Sequence, residues 1–169
     1  MEPKPSNLNA AILILSDRCS KGERADGSGP ALEGWLSERG VEVALVEVIP
    51  DEADLISERL VQWADGGRYD LILTSGGTGV SPRDVTPEAT ERILHRLIPG
   101  FGEVMRLESL KKTPHAMISR AVAGVRGETL IVNLPGSPKG ALECLAAVWP
   151  AVPHACAKIR GDGSDCAPT

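Results

Sequence analysis

Gly76-Gly77-Thr78-Gly79 stands between a hydrophobic run, Tyr69-Asp70-Leu71-Ile72-Leu73-Thr74, and the charged segment Arg83-Asp84-Val85-Thr86-Pro87-Glu88. The hydrophobic run reads as a buried strand. The glycines let the chain turn tightly and bring its N–H groups close to an anion. Thr86-Pro87 reads as a helix start, with Thr86 as N-cap and Pro87 at the first helical position. Strand, glycine turn and helix N-terminus together suit a phosphate. Asp84 lies in the same loop, and a carboxylate beside a phosphate repels it unless a cation lies between them. That conflict points to metal-assisted phosphate chemistry.

The elements that must carry this loop alternate along the chain. Ala10 to Ser16 reads as a first strand, nearly all apolar and so covered on both faces. Asp17 to Gly29 is polar and glycine-bearing, the pattern of a long loop. Pro30 to Arg39 is a helix with Leu32, Trp35 and Leu36 on one face, stopped by Gly40. Val41 to Ile49 is a second strand. Pro50 to Asp54 opens a helix that turns Ile56, Leu60 and Trp63 inward. After the third strand and the glycine turn comes a helix from Pro87 to Leu97, broken by Pro99-Gly100, then a helix from Phe101 to Lys111. Ala116 to Val125 and Glu128 to Leu134 read as two strands joined at Arg126-Gly127. A helical region runs from Pro138 to Arg160, kinked near Pro150 and Pro153. Residues 8–160 are expected to form a single domain, with frayed tails at 1–7 and 161–169.

Strands alternating with helices imply an α/β domain with a mostly parallel sheet, and ligands of such sheets gather at the carboxyl ends of strands. Those ends carry Ser16-Asp17, Asp51, Gly76 through Asp84, and Asn133-Leu134-Pro135-Gly136-Ser137-Pro138-Lys139. Ser137 and Pro138 read as N-cap and first residue of a second helix on the same rim. Two helix starts and two carboxylates on one rim suit a ligand with several phosphates and a divalent cation.

Composition excludes several classes. A chain of 169 residues with net charge −5 and no basic stripe is a poor partner for nucleic acid or an anionic membrane. One Phe and one Tyr leave little to stack on bases. No apolar run approaches the length of a membrane span. Asp17 and Arg18 interrupt the first apolar run, so no secretory leader is expected. Cys19, Cys144, Cys156 and Cys166 contain no Cys-x-x-Cys pair, which argues against a zinc site or disulfide framework and suits a cytoplasmic protein.

Taken singly, the motifs are ordinary. Asp51 alone reads first as a helix cap, and Asp84 alone caps a turn as readily as it binds a ligand. The glycine run lacks the Lys-Ser/Thr ending of a P-loop and the third glycine of a dinucleotide fingerprint. His95, His115 and His154 lack metal-ligand spacing. Ser16, Ser75 and Ser119 lack a His–Asp pattern. Trp35, Trp63 and Trp149 fall at apolar helix positions and read as core.

In combination they are specific. Ile49-Pro50-Asp51-Glu52, Thr74-Ser75 with the glycine run, Arg83 through Ala89, Pro99 through Arg106, Ser119-Arg120 and Asn133 through Lys139 occur in one order. That order resembles the molybdopterin adenylyltransferases: the Mog-type enzymes and the equivalent G domains of gephyrin and plant Cnx proteins. The resemblance runs from about Ala10 to Arg160. It implies a three-layer α/β/α fold of the molybdopterin-binding type, a homotrimer, and a place in molybdenum cofactor biosynthesis. The activity it implies is Mg²⁺-dependent transfer of AMP from ATP to the phosphate of molybdopterin, with release of pyrophosphate. The product would pass to a molybdenum-insertion protein.

The resemblance places the two essential aspartates, catalytic and Mg²⁺-holding, at Asp51 and Asp84. It places nucleotide phosphates at Gly76, Gly77, Thr78 and Gly79, and molybdopterin at Ser16, Asp17, Pro135, Gly136, Ser137 and Lys139. Lys139, with Arg83 or Arg120, is a candidate charge partner for the anionic substrates. Thr74-Ser75 replaces the family's usual pair of threonines and keeps a hydroxyl. The alternative is a MoaB-type relative that binds or carries molybdopterin with weak activity or none. The retained motifs favour the enzyme.

Overall fold

Asn9–Leu15 (β1) lies inside a six-stranded sheet, between Glu42–Ile49 (β2) and Leu71–Ser75 (β3). β3 pairs with Thr129–Leu134 (β6), which pairs with Ala123–Arg126 (β5), which pairs with Arg96–Leu97 (β4) at the far edge. This is the computed structural model of the chain, and it describes residues 8–163. Of the expected tails at 1–7 and 161–169, residues 1–7 and 164–169, and with them Cys166, lie outside the described residues.

β1, β2, β3 and β6 run parallel, whereas β4 and β5 make the antiparallel pairs β4–β5 and β5–β6. Parallel strands need cover on both faces. β1 supplies it by alternation: Ala10, Ile12 and Ile14 enter one core, and Ala11, Leu13 and Leu15 the other. The first core also holds Leu32 and Leu36 of Ser28–Ser37 (α2), Met105 of Pro99–Leu110 (α5), Leu145 of Pro138–Val148 (α6) and Val152 of Val152–Ile159 (α7). The second holds Ile56, Leu60 and Trp63 of Ala53–Asp65 (α3) and Ala89 of Thr86–Glu91 (α4). The result is three layers, α/β/α, as the resemblance implies, around the mostly parallel sheet that the alternation of elements implies.

Four local expectations give way. Asp17–Ser20 (α1) is a short helix inside the expected loop, because the Ser16 hydroxyl accepts from the Cys19 N–H at 3.2 Å and caps it. Val85, not Thr86, is the N-cap of α4, and the Thr86 hydroxyl turns inward. That helix stops at Glu91, short of Leu97. Instead, the His95 and Ile98 N–H groups donate to Val125 and Ala123, which draws Arg96-Leu97 onto the sheet edge. Finally, Pro114–Ile118 forms a 3₁₀ turn where a strand was expected, with Pro114 in its first turn. The expected break in the last helical region is present, as the 3₁₀ turn Trp149–Ala151 between α6 and α7.

The strand order reverses at β1 and β3. Chain following β1 crosses toward β2, and chain following β3 leads to the other side. The crevice beyond their carboxyl ends is where open α/β sheets bind ligands.

Candidate active site

Four parallel strands deliver their following residues to this crevice: Ser16 after β1, Asp51 after β2, Gly76 after β3 and Pro135 after β6. A cleft of about 320 Å³ opens there, lined by Ser16, Asp51, Gly76, Gly77, Asp84, Gly136 and Ser137, among others. The two aspartates and the first half of the glycine run thus share one cleft, although Asp51 and Asp84 lie on different loops.

Gly76 and Gly77 are required by the backbone. Their φ values are +117° and +63°, a region that L side chains rarely adopt. A Cβ on Gly76 would sit 2.2 Å from the Leu15 carbonyl oxygen. One on Gly77 would sit 2.3 Å from Thr86 Oγ1 and 3.1 Å from Asp51 Oδ1. The loop therefore passes tightly between the end of β1 and the start of α4, with Asp51 against its outer side. The inward Thr86 hydroxyl donates to the Gly76 carbonyl at 2.8 Å, and the Thr86 N–H donates to the Gly77 carbonyl at 3.2 Å. Thr90 Oγ1 donates to the Thr86 carbonyl, and Asn133 Nδ2 donates to Thr90 and Thr74. A fully buried polar chain thus runs from β6 to the glycine loop.

Gly79 has no positive φ, but it is also confined. A Cβ there would lie 2.8 Å from Asp84 Oδ2. The segment from Gly79 to Asp84 is pinned at both ends by Arg120, which donates to the Gly79 and Asp84 carbonyls, at 2.7 Å each, and pairs with Glu88. Asp84 Oδ2 accepts from the Ser81 N–H at 2.9 Å.

Each aspartate keeps one oxygen anchored. Asp51 Oδ2 accepts from the Asp17 N–H at 2.9 Å, and the Asp51 N–H donates to Asp17 Oδ1 at 3.1 Å. Among the described residues, Asp51 Oδ1 and Asp84 Oδ1 make no hydrogen bond to protein. Two carboxylates on one cleft, each with a spare hard oxygen, fit a Mg²⁺ ion held by one or two carboxylates plus substrate phosphates. No group of three or more His, Cys, Asp or Glu that could form an all-protein metal cage occurs among the described residues.

The electrostatics follow. Burial raises the Asp51 pKa above the usual 3.8, and the charges of Asp17 and Asp84 push the same way, while the Asp17 N–H and Arg83 hold it back. Asp17 shifts the other way, because the Arg83 guanidinium grips both its oxygens at 2.9 Å. Arg83 also pairs with Glu52 at 2.7 Å, and its own pKa is raised.

The expected site residues therefore divide. Ser16, Asp51, Gly76, Gly77, Asp84, Gly136 and Ser137 line one cleft. Thr78, Gly79, Pro135 and Ser137 line a neighbouring, largely apolar cleft of about 300 Å³ with Met105, Ile118 and Cys144, so Ser137 stands on the ridge between the two. Ser137 is the N-cap of α6 as expected, accepting from the Gly140 N–H at 3.1 Å. Asp17 lines neither cleft, and its carboxylate is held by Arg83 and the Asp51 N–H. Lys139 is exposed and also lines neither. Of the two arginines read as charge partners, Arg83 serves Asp17 and Glu52, and Arg120 serves the loop backbone. Sequence reasoning missed Arg24 and Ser28. Ser28 Oγ donates to the Gly136 carbonyl at 2.9 Å, an unreadable contact spanning 108 positions.

The family model described as "Probable molybdopterin binding domain" matches residues 11–154. A molybdopterin adenylyltransferase of Helicobacter pylori is 46% identical over 157 residues, covering 92% of this chain and 89% of that protein. The molybdenum cofactor synthesis protein cinnamon of Drosophila melanogaster is 40% identical over 159 residues, covering 94% of this chain but 26% of that longer protein. Among solved structures, the molybdopterin biosynthesis enzyme MoaB of Thermus thermophilus superposes with a TM-score of 0.86 at 52% identity, over 92% of this chain and 98% of that one.

Proposed function

The chain belongs to the molybdopterin-binding domain family, and from that membership and the geometry of the crevice we propose that it is a molybdopterin adenylyltransferase. The reaction transfers AMP from ATP to the phosphate of molybdopterin and releases pyrophosphate. The observation that carries this reading is the meeting of Asp51, Asp84 and Gly76-Gly77 on one cleft at the reversal of strand order.

Both substrates are anionic, and a phosphate monoester is already a competent nucleophile. The protein's task is to align the attack and manage charge. The Gly76–Gly79 loop brings backbone close to the nucleotide phosphates, held in shape by Thr86 from below and Arg120 from the side. Mg²⁺ held by Asp51 and Asp84 would supply charge neutralisation at the phosphates when bound. Asp17 acts through Asp51, tying it down and leaving Oδ1 free toward the cleft. Ser16 and the Pro135-Gly136-Ser137 turn face the molybdopterin phosphate, with Lys139 adding positive potential from the first turn of α6. The apolar cleft beyond Ser137 takes the flat ring system of one substrate.

The same reading makes the protein a cytoplasmic homotrimer acting on small molecules. No helix among the described residues is long and apolar enough to cross a membrane. Val104, Leu107 and Leu110 of α5, with Met117 and Ile118 of the following turn, leave apolar side chains exposed, which supports association. Hand-over of the product to a molybdenum-insertion protein is supported by the matching segment's place within the longer cinnamon protein. The test is pyrophosphate release from ATP and Mg²⁺ with and without molybdopterin. Release that requires molybdopterin supports the enzyme, and tight molybdopterin binding without release identifies a MoaB-type carrier instead.

A further inference from the structure

The charged residues lining the cleft are Arg24, Asp26, Asp51 and Asp84, so Arg24 is its one cation among the described residues. None of the motifs that mark the family includes it. No ion pair joins it to Asp26, whose carboxylate is turned to the backbone and accepts from the Ser28 N–H at 2.9 Å and the Gly29 N–H at 3.1 Å. Among the described residues, the Arg24 side chain makes no hydrogen bond or ion pair. Arg83 and Arg120, by contrast, are spent on protein partners.

The segment that carries Arg24 is held in place. Ser28 bonds the Gly136 carbonyl, and a Cβ on Gly27 would lie 3.2 Å from Pro138 Cγ. Arg24 is thus presented at the exposed lip of the cleft, while Asp51 and Asp84 lie deeper and half-buried.

We propose that Arg24 grips the β- and γ-phosphates of the nucleoside triphosphate and stabilises the pyrophosphate that leaves. This rests on the nucleotidyl-transfer reading above. In that step an oxygen of the phosphate monoester bonds to the α-phosphorus. The bond from the α-phosphorus to the bridging oxygen breaks, and its electron pair leaves with pyrophosphate. Attack at the α-phosphorus places that atom by the carboxylates and directs the outer phosphates toward the lip. A guanidinium there binds them through two parallel N–H bonds, a geometry that lysine cannot reproduce.

Arg24→Gln and Arg24→Lys test this by steady-state kinetics and by calorimetric binding of pyrophosphate, Mg-ATP and AMP. In Arg24→Gln, KM for Mg-ATP and Kd for pyrophosphate rise about tenfold, the loss of one charge-assisted contact, while Kd for AMP and the melting temperature stay unchanged. Arg24→Lys recovers part of the loss. Pyrophosphate and Mg-ATP affinities within twofold of wild type in an active enzyme overturn the inference. So does an equal loss of AMP affinity, which would place Arg24 at the α-phosphate. Wild-type protein that binds no pyrophosphate and transfers no AMP overturns the nucleotidyl-transfer reading as well.

Discussion

Asp17 and Asp51 hold each other by the backbone: each carboxylate accepts from the other's N–H, at 2.9 Å to Asp51 and 3.1 Å to Asp17. The exchange ties together the carboxyl ends of the neighbouring strands β1 and β2 beside the crevice. It consumes one oxygen of Asp51 and leaves the other toward Gly77. Arg83 anchors the pair from outside by gripping Asp17. The aspartate in the cleft is thus placed by one that is not in it.

Asp51→Asn and Asp84→Asn should each lower turnover on the order of 10²-fold or more, by removing a full charge beside the reacting phosphates. Asparagine keeps an oxygen for the Asp17 or Ser81 N–H, so the fold and molybdopterin affinity should persist. Steady-state kinetics beside pterin-binding titrations would check this, and near-normal turnover in both variants would reject the assigned roles.

The glycine loop separates shape from function. Gly77→Ala must push against Thr86 and Asp51 at a positive φ, so it should lose nucleotide binding and lower the melting temperature by several degrees. Gly79→Ala meets only the Asp84 side chain, so it should lose activity with little change in melting temperature. Equal thermal effects in the two variants would show that strain is shared along the loop rather than stored at Gly77.

The pH response should run through Arg83. Asp51 has a raised pKa, so activity requiring its ionised form falls as pH drops through that raised value. Arg83→Gln removes a charge that lowers Asp51, and the acid limb of kcat/KM should move to higher pH. Stability has the opposite pattern at Asp17. Its pKa is lowered, so the Arg83 contribution is present above 3.8 and lost as pH falls through the lowered value. The difference in melting temperature between wild type and Arg83→Gln should therefore shrink below pH 3.8. An unmoved acid limb would dissociate Arg83 from the aspartates.

Much of this site was legible because its pieces are local. A glycine run directly after a buried strand, a Pro-Asp at a strand end and a Ser-Pro helix start each declare a geometry within a few residues, and all fall on one rim. What was illegible depends on distant partners. The Thr86 hydroxyl turns from cap to buried donor because the Gly76 carbonyl, ten positions away, points at it. Arg120 serves Gly79 across 41 positions, so its sequence context suggested a ligand-facing cation. The edge strand β4 is two residues long and exposed, so no hydrophobic alternation announces it.

Assembly is tested by mass. Light scattering should give roughly 50 kDa, three times the 17.8 kDa of one chain. Leu107→Glu, at a side chain 62% exposed on α5, should disperse the assembly if that face is covered. A strictly monomeric and fully active wild type would contradict the trimer, and twice the trimer mass would point to a hexameric MoaB-type arrangement.

The central claim is the transfer of AMP itself, and isotope placement tests it most directly. Molybdopterin, Mg²⁺ and ATP labelled at the α-phosphate should give labelled adenylylated molybdopterin, while ATP labelled at the γ-phosphate should give labelled pyrophosphate and an unlabelled pterin. Label passing from the γ-position to the pterin, or ADP as the nucleotide product, would contradict the account.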